Sequence, residues 1–517
     1  VPADGAAAAP GHRGADAGRA GRCLSSAPAV LAFILAMVLV WSALPALLQS
    51  VPHADNIEQL NWAHALQWGY IKHPPLPTWL LYGSIALVGP SAFLTYFLAM
   101  ACVGATLLLL WCCARTLLDR EAAALVVLLS SADYYLMGRG SFLNHNTVML
   151  PFVAASAWAV LRIVQGAGWR AWGVLGLVQA LGLLTKYQMA IVIAANALAL
   201  LGGGAWRRPR FAAHVALAAA ATLVPLLPHL LWLQAHAFST FTYAGHSLLA
   251  DLPPADRAAQ ALGFLAQQLG RFAPAVVALG LALGLQRAVP ALAPAASTAP
   301  APLPAFRDVV PERVLALLAL TPVGLIVLLA LFAGVAPQNH WGASSTLLLP
   351  LLVVVLLRPA RRPCVAAALT AVLAVQAAAV AWNVVAARRA PGFHHAFAAE
   401  PLAAMALEYW QGHTGGRIEV VIGPDWDAGA IALELPSHPS VLASGDRGQA
   451  PWVSDALLAR CGALVLWRTG QDPASQIGAD FAARLQFPVH LHTTVPHGKV
   501  SQIEAGILAP EAQGCPP

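Results

Sequence analysis

Charge is what this sequence has least of. Its 517 residues hold 29 Lys and Arg and 23 Asp and Glu, 10% of the chain, where an ordinary soluble domain carries about 25%. So little charge does not cover the surface of a soluble protein of this length, and a purely soluble enzyme is excluded. Cysteine is also scarce, at 7 residues, which excludes a disulfide scaffold. The net charge of +6 comes from scattered basic residues rather than a block, which excludes a nucleic-acid binder. No Walker A loop, HExxH helix, GxSxG elbow or CxxC pair is present, so the usual signatures of nucleotide, zinc, serine-nucleophile and dithiol chemistry are missing. Carboxylates at mid-span, of the kind proton-coupled pumps carry, are missing too. The nearest is Asp133, which sits near a span end beside Tyr134 and Tyr135 and suits a structural role.

What the sequence has instead is apolar length: 59% of it is hydrophobic. A bilayer core of roughly 30 Å needs about 20 apolar residues per helix. Runs of that kind lie near 28–48, 92–114, 121–137, 147–165, 171–185, 187–203, 211–233, 272–288, 313–335, 341–357 and 363–386, which makes about eleven spans. The stretch 76–89 is shorter and bounded by Pro74, Pro75 and Pro90, so it reads as a helix lying in the interface. The first run follows Arg13, Arg19 and Arg22 and lacks a good cleavage site, so it reads as an uncleaved span. Starting with the N-terminus in the cytoplasm, the inner loops collect Arg115 and Arg120, Arg162 and Arg170, Arg207, Arg208 and Arg210, Arg287, Arg307 and Arg313, and Arg358, Arg361 and Arg362. That is the positive-inside bias, and counting 76–89 as a span would invert it.

Three units follow: a cytoplasmic tail over 1–27, a transmembrane unit over 28–387 with its first outer loop at 49–91, and an extracytoplasmic domain over 388–517. A Pro/Ala-rich stretch at 290–312 reads as a cytoplasmic linker. In the last unit the period changes: Arg417–Gly423 and Ala463–Trp467 read as strands, with helical stretches around 397–412 and 473–485. The fold expected is a polytopic α-helical membrane protein with a C-terminal soluble α/β domain.

The polar clusters at membrane depth all fall on the outer side of this topology. They are Asp55 with Glu58 one turn on, Lys72-His73 before Pro74-Pro75, Asn144 and Asn146, Lys186-Tyr187, and His340 beside Trp341. Each has a plain alternative: Asp55 solvated, His73 ending a helix, Lys186 as a polar turn, His340 in an interfacial belt, and Asn144 or Asn146 as a helix cap. Their convergence on one membrane face favours a site, because ionisable groups there are costly. One carboxylate to act as base and several donors to cradle a leaving phosphate are enough for group transfer.

The order Asp55, Trp68-Gly69-Tyr70, His73-Pro74-Pro75-Leu76-Pro77-Thr78-Trp79-Leu80 resembles the GT-C membrane glycosyltransferases of family 39, a group that includes protein O-mannosyltransferases and lipid A aminoarabinose transferases. Phe142–Thr147, Thr185-Lys186-Tyr187, Leu227–Trp232 and Asn339-His340-Trp341 follow in the family's order, and the likeness covers about 50–360. The resemblance implies transfer of a sugar, with inversion, from a polyprenyl-phosphate carrier on the extracytoplasmic side, with Asp55 as the catalytic carboxylate. It implies a carrier-phosphate contact at His73 with Lys72 beside it, where the aminoarabinose enzymes have a basic residue. Substrate contacts are then expected at Glu58, Lys72, His73, Asn144, Asn146, Lys186, Tyr187 and His340. Two departures stand out: Asn56 where many relatives have Glu, and Asn144 and Asn146 where many carry a second Asp. The second argues against a metal, and no cofactor is expected.

The expected partners are the lipid-linked sugar donor, an acceptor that is glycan, lipid or protein, and membrane lipids, with no nucleic acid, in a cell inner membrane. A transporter or flippase of a lipid-linked sugar, and a lipid-linked oligosaccharide ligase, are the alternatives. In the outer domain, Trp426, Trp452, Asp425, Asp427 and Asp455 suit packing better than glycan binding, and Cys461 and Cys515 are candidates to pair.

Overall fold

The computed structural model describes residues 23–248, 253–289, 311–357, 359–389, 393–494, 500–511 and 515. Most of the expected N-terminal tail and nearly all of the 290–312 linker lie outside the described residues.

Several of the apolar runs begin as helices where a polar side chain takes up a free N–H group. Ser26 starts α1 (Ala27–Leu48) by accepting from the Ala29 N–H. A short loop helix follows, α2 (Ala54–Trp62), then α3 (Leu76–Val88). Ser91 caps α4 (Ala92–Leu117), and Asp119 caps α5 (Arg120–Ser131). Asp133 caps the single turn α6 (Tyr134–Met137), and Asn144 caps α7 (His145–Val164). Next come α8 (Trp169–Thr185), α9 (Met189–Gly202), α10 (Phe211–Ala235) and α11 (Ser239–Leu248). They are followed by α12 (Pro254–Arg271), α13 (Ala273–Ala288) and α14 (Pro311–Ala333). A 3₁₀ turn at Asn339–Trp341 leads into α15 (Gly342–Ser345), then α16 (Leu349–Leu356) and α17 (Val365–Arg389).

Among the described residues seven helices are long and apolar enough to cross a membrane, and eight if the 49° bent pair at 339–356 is one span. The other three expected spans are shorter. The 121–137 run stops as a helix of 12 residues at Ser131, and α8 and α9 have 17 and 14. Lys186 separates the last two because its extended backbone breaks the helix. The interior is stitched by buried polar pairs as well as by packing. Trp41 donates its indole N–H to the Gln376 Oε1 at 3.3 Å, and Gln376 in turn donates to Ser131. Inside a bilayer such bonds between helices contribute about 1 kcal/mol each. Asp133 is structural, as expected: it accepts two N–H groups of α6 and pairs with Arg271 at 2.8 Å in the interior.

The C-terminal domain is a five-stranded sheet in the order β2-β1-β3-β5-β4. Its elements are α18 (Ala399–Thr414), β1 (Val420–Gly423), α19 (Asp425–Glu434), β2 (Ser440–Ala443), α20 (Asp455–Cys461), β3 (Ala463–Trp467), β4 (Gln486–Thr494) and β5 (Val500–Leu508). β1 pairs in parallel with β2 and β3, whereas β5 runs antiparallel to β3 and β4. The central strands β1 and β3 are buried throughout, which is why they stood out as continuous apolar runs. β4 alternates and is largely exposed, so it carried no such signal. Cys461 and Cys515 are joined by a disulfide.

The domain is anchored on the first loop. The Trp426 indole N–H donates to the Pro52 carbonyl at 2.9 Å, and Asn61 donates to both the carbonyl and the carboxylate of Asp425. Gly429 lets α19 lie directly on α2, since a Cβ there would come within 2.4 Å of Ile57 and 2.6 Å of Asn61. One apolar core runs through both units, with Ile57, Leu60, Leu81, Trp410, Trp426, Ile431 and Leu464 in it.

Candidate active site

All nine residues singled out from the sequence (Asp55, Glu58, Lys72, His73, Asn144, Asn146, Lys186, Tyr187 and His340) line one cavity of about 780 Å³. Its wall is built by α2, the 70–75 turn, the start of α7, the break between α8 and α9, the 3₁₀ turn before α15, and the outer domain. This volume is within the range of small-molecule sites, about 300–1,000 Å³.

Asp55 lies in the first turn of α2. Its Oδ2 accepts from the Asn144 Nδ2 at 2.7 Å, while the Asn144 Oδ1 accepts the N–H groups of Asn146 and Thr147, both at 3.0 Å. Asn144 therefore does two jobs: it caps α7, and it orients the Asp55 carboxylate. The neighbouring Asn146 Oδ1 accepts from the Lys186 Nζ at 2.5 Å. Asn56 explains one departure from the family pattern. It points away from the cavity, donating to the Thr95 Oγ1 at 2.8 Å and the Ser141 carbonyl and accepting from the Leu143 N–H. Its amide ties α2 to the loop that carries Asn144, a task for a neutral group with both a donor and an acceptor.

Reciprocal hydrogen bonds between the backbones of Tyr70 and His73 close a tight turn that presents Lys72 and His73 together. Lys72 forms an ion pair with Glu58, and its Nζ lies 4.0 Å from the Asp425 carboxylate. Two acids thus crowd this lysine. Burial first, opposed by Lys72 and helped by Asp425 and Asp55, pushes the Glu58 carboxyl up to about 7. Burial alone would lower the Lys72 ammonium, but the charge and hydrogen bond of Glu58, with Asp425, hold it above its ordinary value. His73 stacks on His145 with ring centres 4.0 Å apart. Burial, reinforced by His145, Lys186, Lys72 and His340, holds its imidazole well below the usual range. It is therefore neutral, able to donate one hydrogen bond but not to neutralise an anion.

Tyr187 is fixed by a directed chain. The His229 Nδ1 is 2.6 Å from the Trp68 carbonyl, so it must carry the proton and donate. Its Nε2 then accepts from the Tyr187 hydroxyl at 2.9 Å, and that hydroxyl accepts from Thr240 at 3.0 Å. Gln188 holds the facing turn by donating to the Trp341 carbonyl and Ser344, both at 3.1 Å. Among the described residues no three His, Cys, Asp or Glu side chains are grouped as metal ligands.

Sequence reasoning missed His53, Tyr135, Arg139, His145, Thr240, Tyr243, Gln338 and Asp425 in the wall. His145 stood in plain view between Asn144 and Asn146, where its place on the cavity side of α7 was readable. Asp425 was read as a packing residue of the outer domain, but it lines the cavity, which it reaches from more than 300 residues downstream of α2.

These features define a class. The chain shares its fold with a solved membrane protein, and most of its loop motifs fall in a region matched by a glycosyltransferase family model. The structure of ArnT from Cupriavidus metallidurans bound to undecaprenyl phosphate superposes with a TM-score of 0.57 at 14% identity, covering 95% of this chain and 100% of that one. The family model described as dolichyl-phosphate-mannose-protein mannosyltransferase matches residues 72–232. Two lipopolysaccharide core galacturonosyltransferases of Rhizobium johnstonii, RgtA and RgtB, are similar at 26% identity over 190 residues and 27% over 187, respectively 36% and 35% of this chain. The match spans 38% of the length of each of them. The chain is a multi-pass, mostly helical membrane protein of this fold with a C-terminal α/β domain.

Proposed function

We propose that the chain is an inverting glycosyltransferase that moves a sugar from a polyprenyl-phosphate donor to an acceptor on the extracytoplasmic side of a cell inner membrane. The observation that carries this reading is the Asp55 carboxylate, held by Asn144 in one cavity with His340 and with Lys186, which the neighbouring Asn146 holds. In the step proposed, an acceptor hydroxyl oxygen attacks the anomeric carbon from the face opposite the phosphate. The new C–O bond forms as the bond to the phosphate oxygen breaks, and the hydroxyl proton passes to Asp55. Polyprenyl phosphate leaves with the bonding pair, and its charge is met by Lys186 and by hydrogen bonds from His73 and Asn146, with Tyr187 lining the pocket beside them. A phosphate is already a good leaving group, so no strong acid is required, and a positioned base contributes about 10²–10⁴-fold. Glu58 and Lys72 frame the acceptor side.

Support for the orientation comes from the basic loops on one side of the spans and from the Cys461–Cys515 disulfide in the outer domain, a bond of oxidising compartments. The division proposed is a cytoplasmic tail over 1–27, a catalytic membrane unit over 28–387 and an extracytoplasmic domain over 388–517. The donor class is also supported by the ArnT relative, whose structure holds undecaprenyl phosphate. The test is reconstitution of the purified chain in liposomes with polyprenyl-phosphate sugars and candidate acceptors, followed by mass spectrometry of the products. Sugar transfer is expected. Movement of the lipid-linked sugar across the bilayer without transfer would overturn the reading in favour of a flippase.

A further inference from the structure

A second cavity, of about 230 Å³, lies on the other side of the 69–72 turn, between the membrane unit and the outer domain. Gln67, Gly69, Tyr70 and Ile71 form its floor, Trp232, His236 and Ser239 one wall, and the 448–452 loop with Trp452 the other. Three of its lining groups are buried and without a partner: the indole N–H of Trp232, the indole N–H of Trp452 and the hydroxyl of Ser239. Buried donors are almost always satisfied, so three orphans around one void call for a group to fill it. Trp232 stacks on His236 with centres 4.1 Å apart. It also lies flat against Gly69, where a Cβ would come within 2.4 Å of its ring.

No Asp, Glu, Lys or Arg lines the space, and its one imidazole, His236, is stacked on Trp232, so the lining favours a neutral ligand. Flat apolar rings with hydrogen-bond donors at their edges match a pyranose, which has an apolar C–H face and a rim of hydroxyl oxygens. The volume is below the roughly 300 Å³ where drug-sized sites begin, enough for one ring rather than a chain of them. The turn shared with the main cavity carries Lys72 on its far side, and Ser239 precedes the Thr240 that lines that cavity.

From these observations we infer that the Trp232–Ser239–Trp452 cavity is a subsite for one neutral sugar ring of a glycan acceptor, next to the transfer site. The inference rests on the glycosyltransferase reading for its occupant, but its test does not need turnover.

The full-length protein in nanodiscs is titrated with methyl glycosides of mannose, galactose and glucose, read by tryptophan fluorescence and saturation-transfer NMR. Saturable binding of at least one glycoside is expected. It should be abolished in Trp452→Ala, weakened about tenfold in the Trp452→Phe, Ser239→Ala double variant, which keeps the ring, and unchanged in Asp55→Ala. Absence of saturable binding by all three glycosides, or binding that survives Trp452→Ala, would overturn the subsite. Saturable binding with no sugar transfer in liposomes would keep the subsite and remove the transferase reading. Transfer without this binding would do the reverse.

Discussion

The two walls of the main cavity are built by different parts of the chain and carry different chemistry. One wall is acidic: Asp55 and Glu58 come from α2, and Asp425 comes from the outer domain docked on that helix. The other is made of Lys186 in the α8–α9 break and of Asn146, His145 and His340. Glu58 and Asp425 meet Lys72 where the two domains join, whereas Asp55 and Lys186 are held by Asn144 and Asn146 at the start of α7. The contrast supports the roles proposed: proton acceptance and acceptor binding on the acid side, and the departing phosphate at the lysine.

The largest expected effect strikes the acidic wall. Asp55→Ala is expected to lower the transfer rate by up to about 10⁴-fold, the upper range for a positioned base, in an assay of purified protein whose fold is checked by gel filtration. Lys186→Met removes the ammonium proposed to meet the phosphate and should cost about 10²–10³-fold, as for loss of one electrostatic stabiliser. It should weaken donor binding at the same time, which Asp55→Ala should not.

A third variant tests whether the outer domain matters to the acidic wall. Gly429→Leu forces α19 away from Ile57 and Asn61 and draws Asp425 back from Lys72. An increase of about tenfold in the acceptor KM, with donor binding intact, is expected on the scale of about 1.4 kcal/mol per decade. The smallest effect is in the pH profile. With its carboxyl held at about 7, Glu58 gains a proton as the pH falls through that value and releases its hold on Lys72. The wild type should therefore show an acid limb near pH 7 in kcat/KM, which Glu58→Gln flattens.

Much of this was legible in the sequence because charge is so sparse. The nine candidate residues were among the few polar groups left at one membrane edge once the apolar runs were set aside, and the structure brings all nine to one cavity. β1 and β3 could be read because burial on both faces makes them continuous apolar runs. The parts that stayed hidden depend on contacts distant in sequence. β5 pairs with β3 across a span of some forty residues, and Asp425 meets Lys72 only when α19 docks. Asn56 read as a departure from a motif, and only its hydrogen bonds to Thr95, Ser141 and Leu143 reveal a structural role. Three of the eleven expected spans are short among the described residues for a local reason: 121–137 breaks before Asp133, and 171–203 is split at Lys186 into helices of 17 and 14 residues.

The division of labour between the walls is tested most directly by measuring donor-lipid binding and single-turnover transfer side by side in Asp55→Ala and Lys186→Met. The account predicts that Asp55→Ala binds a polyprenyl-phosphate sugar as the wild type does yet fails to transfer it, while Lys186→Met loses donor affinity. An Asp55→Ala protein that transfers at the wild-type rate, or a Lys186→Met protein with undiminished donor binding, would contradict it.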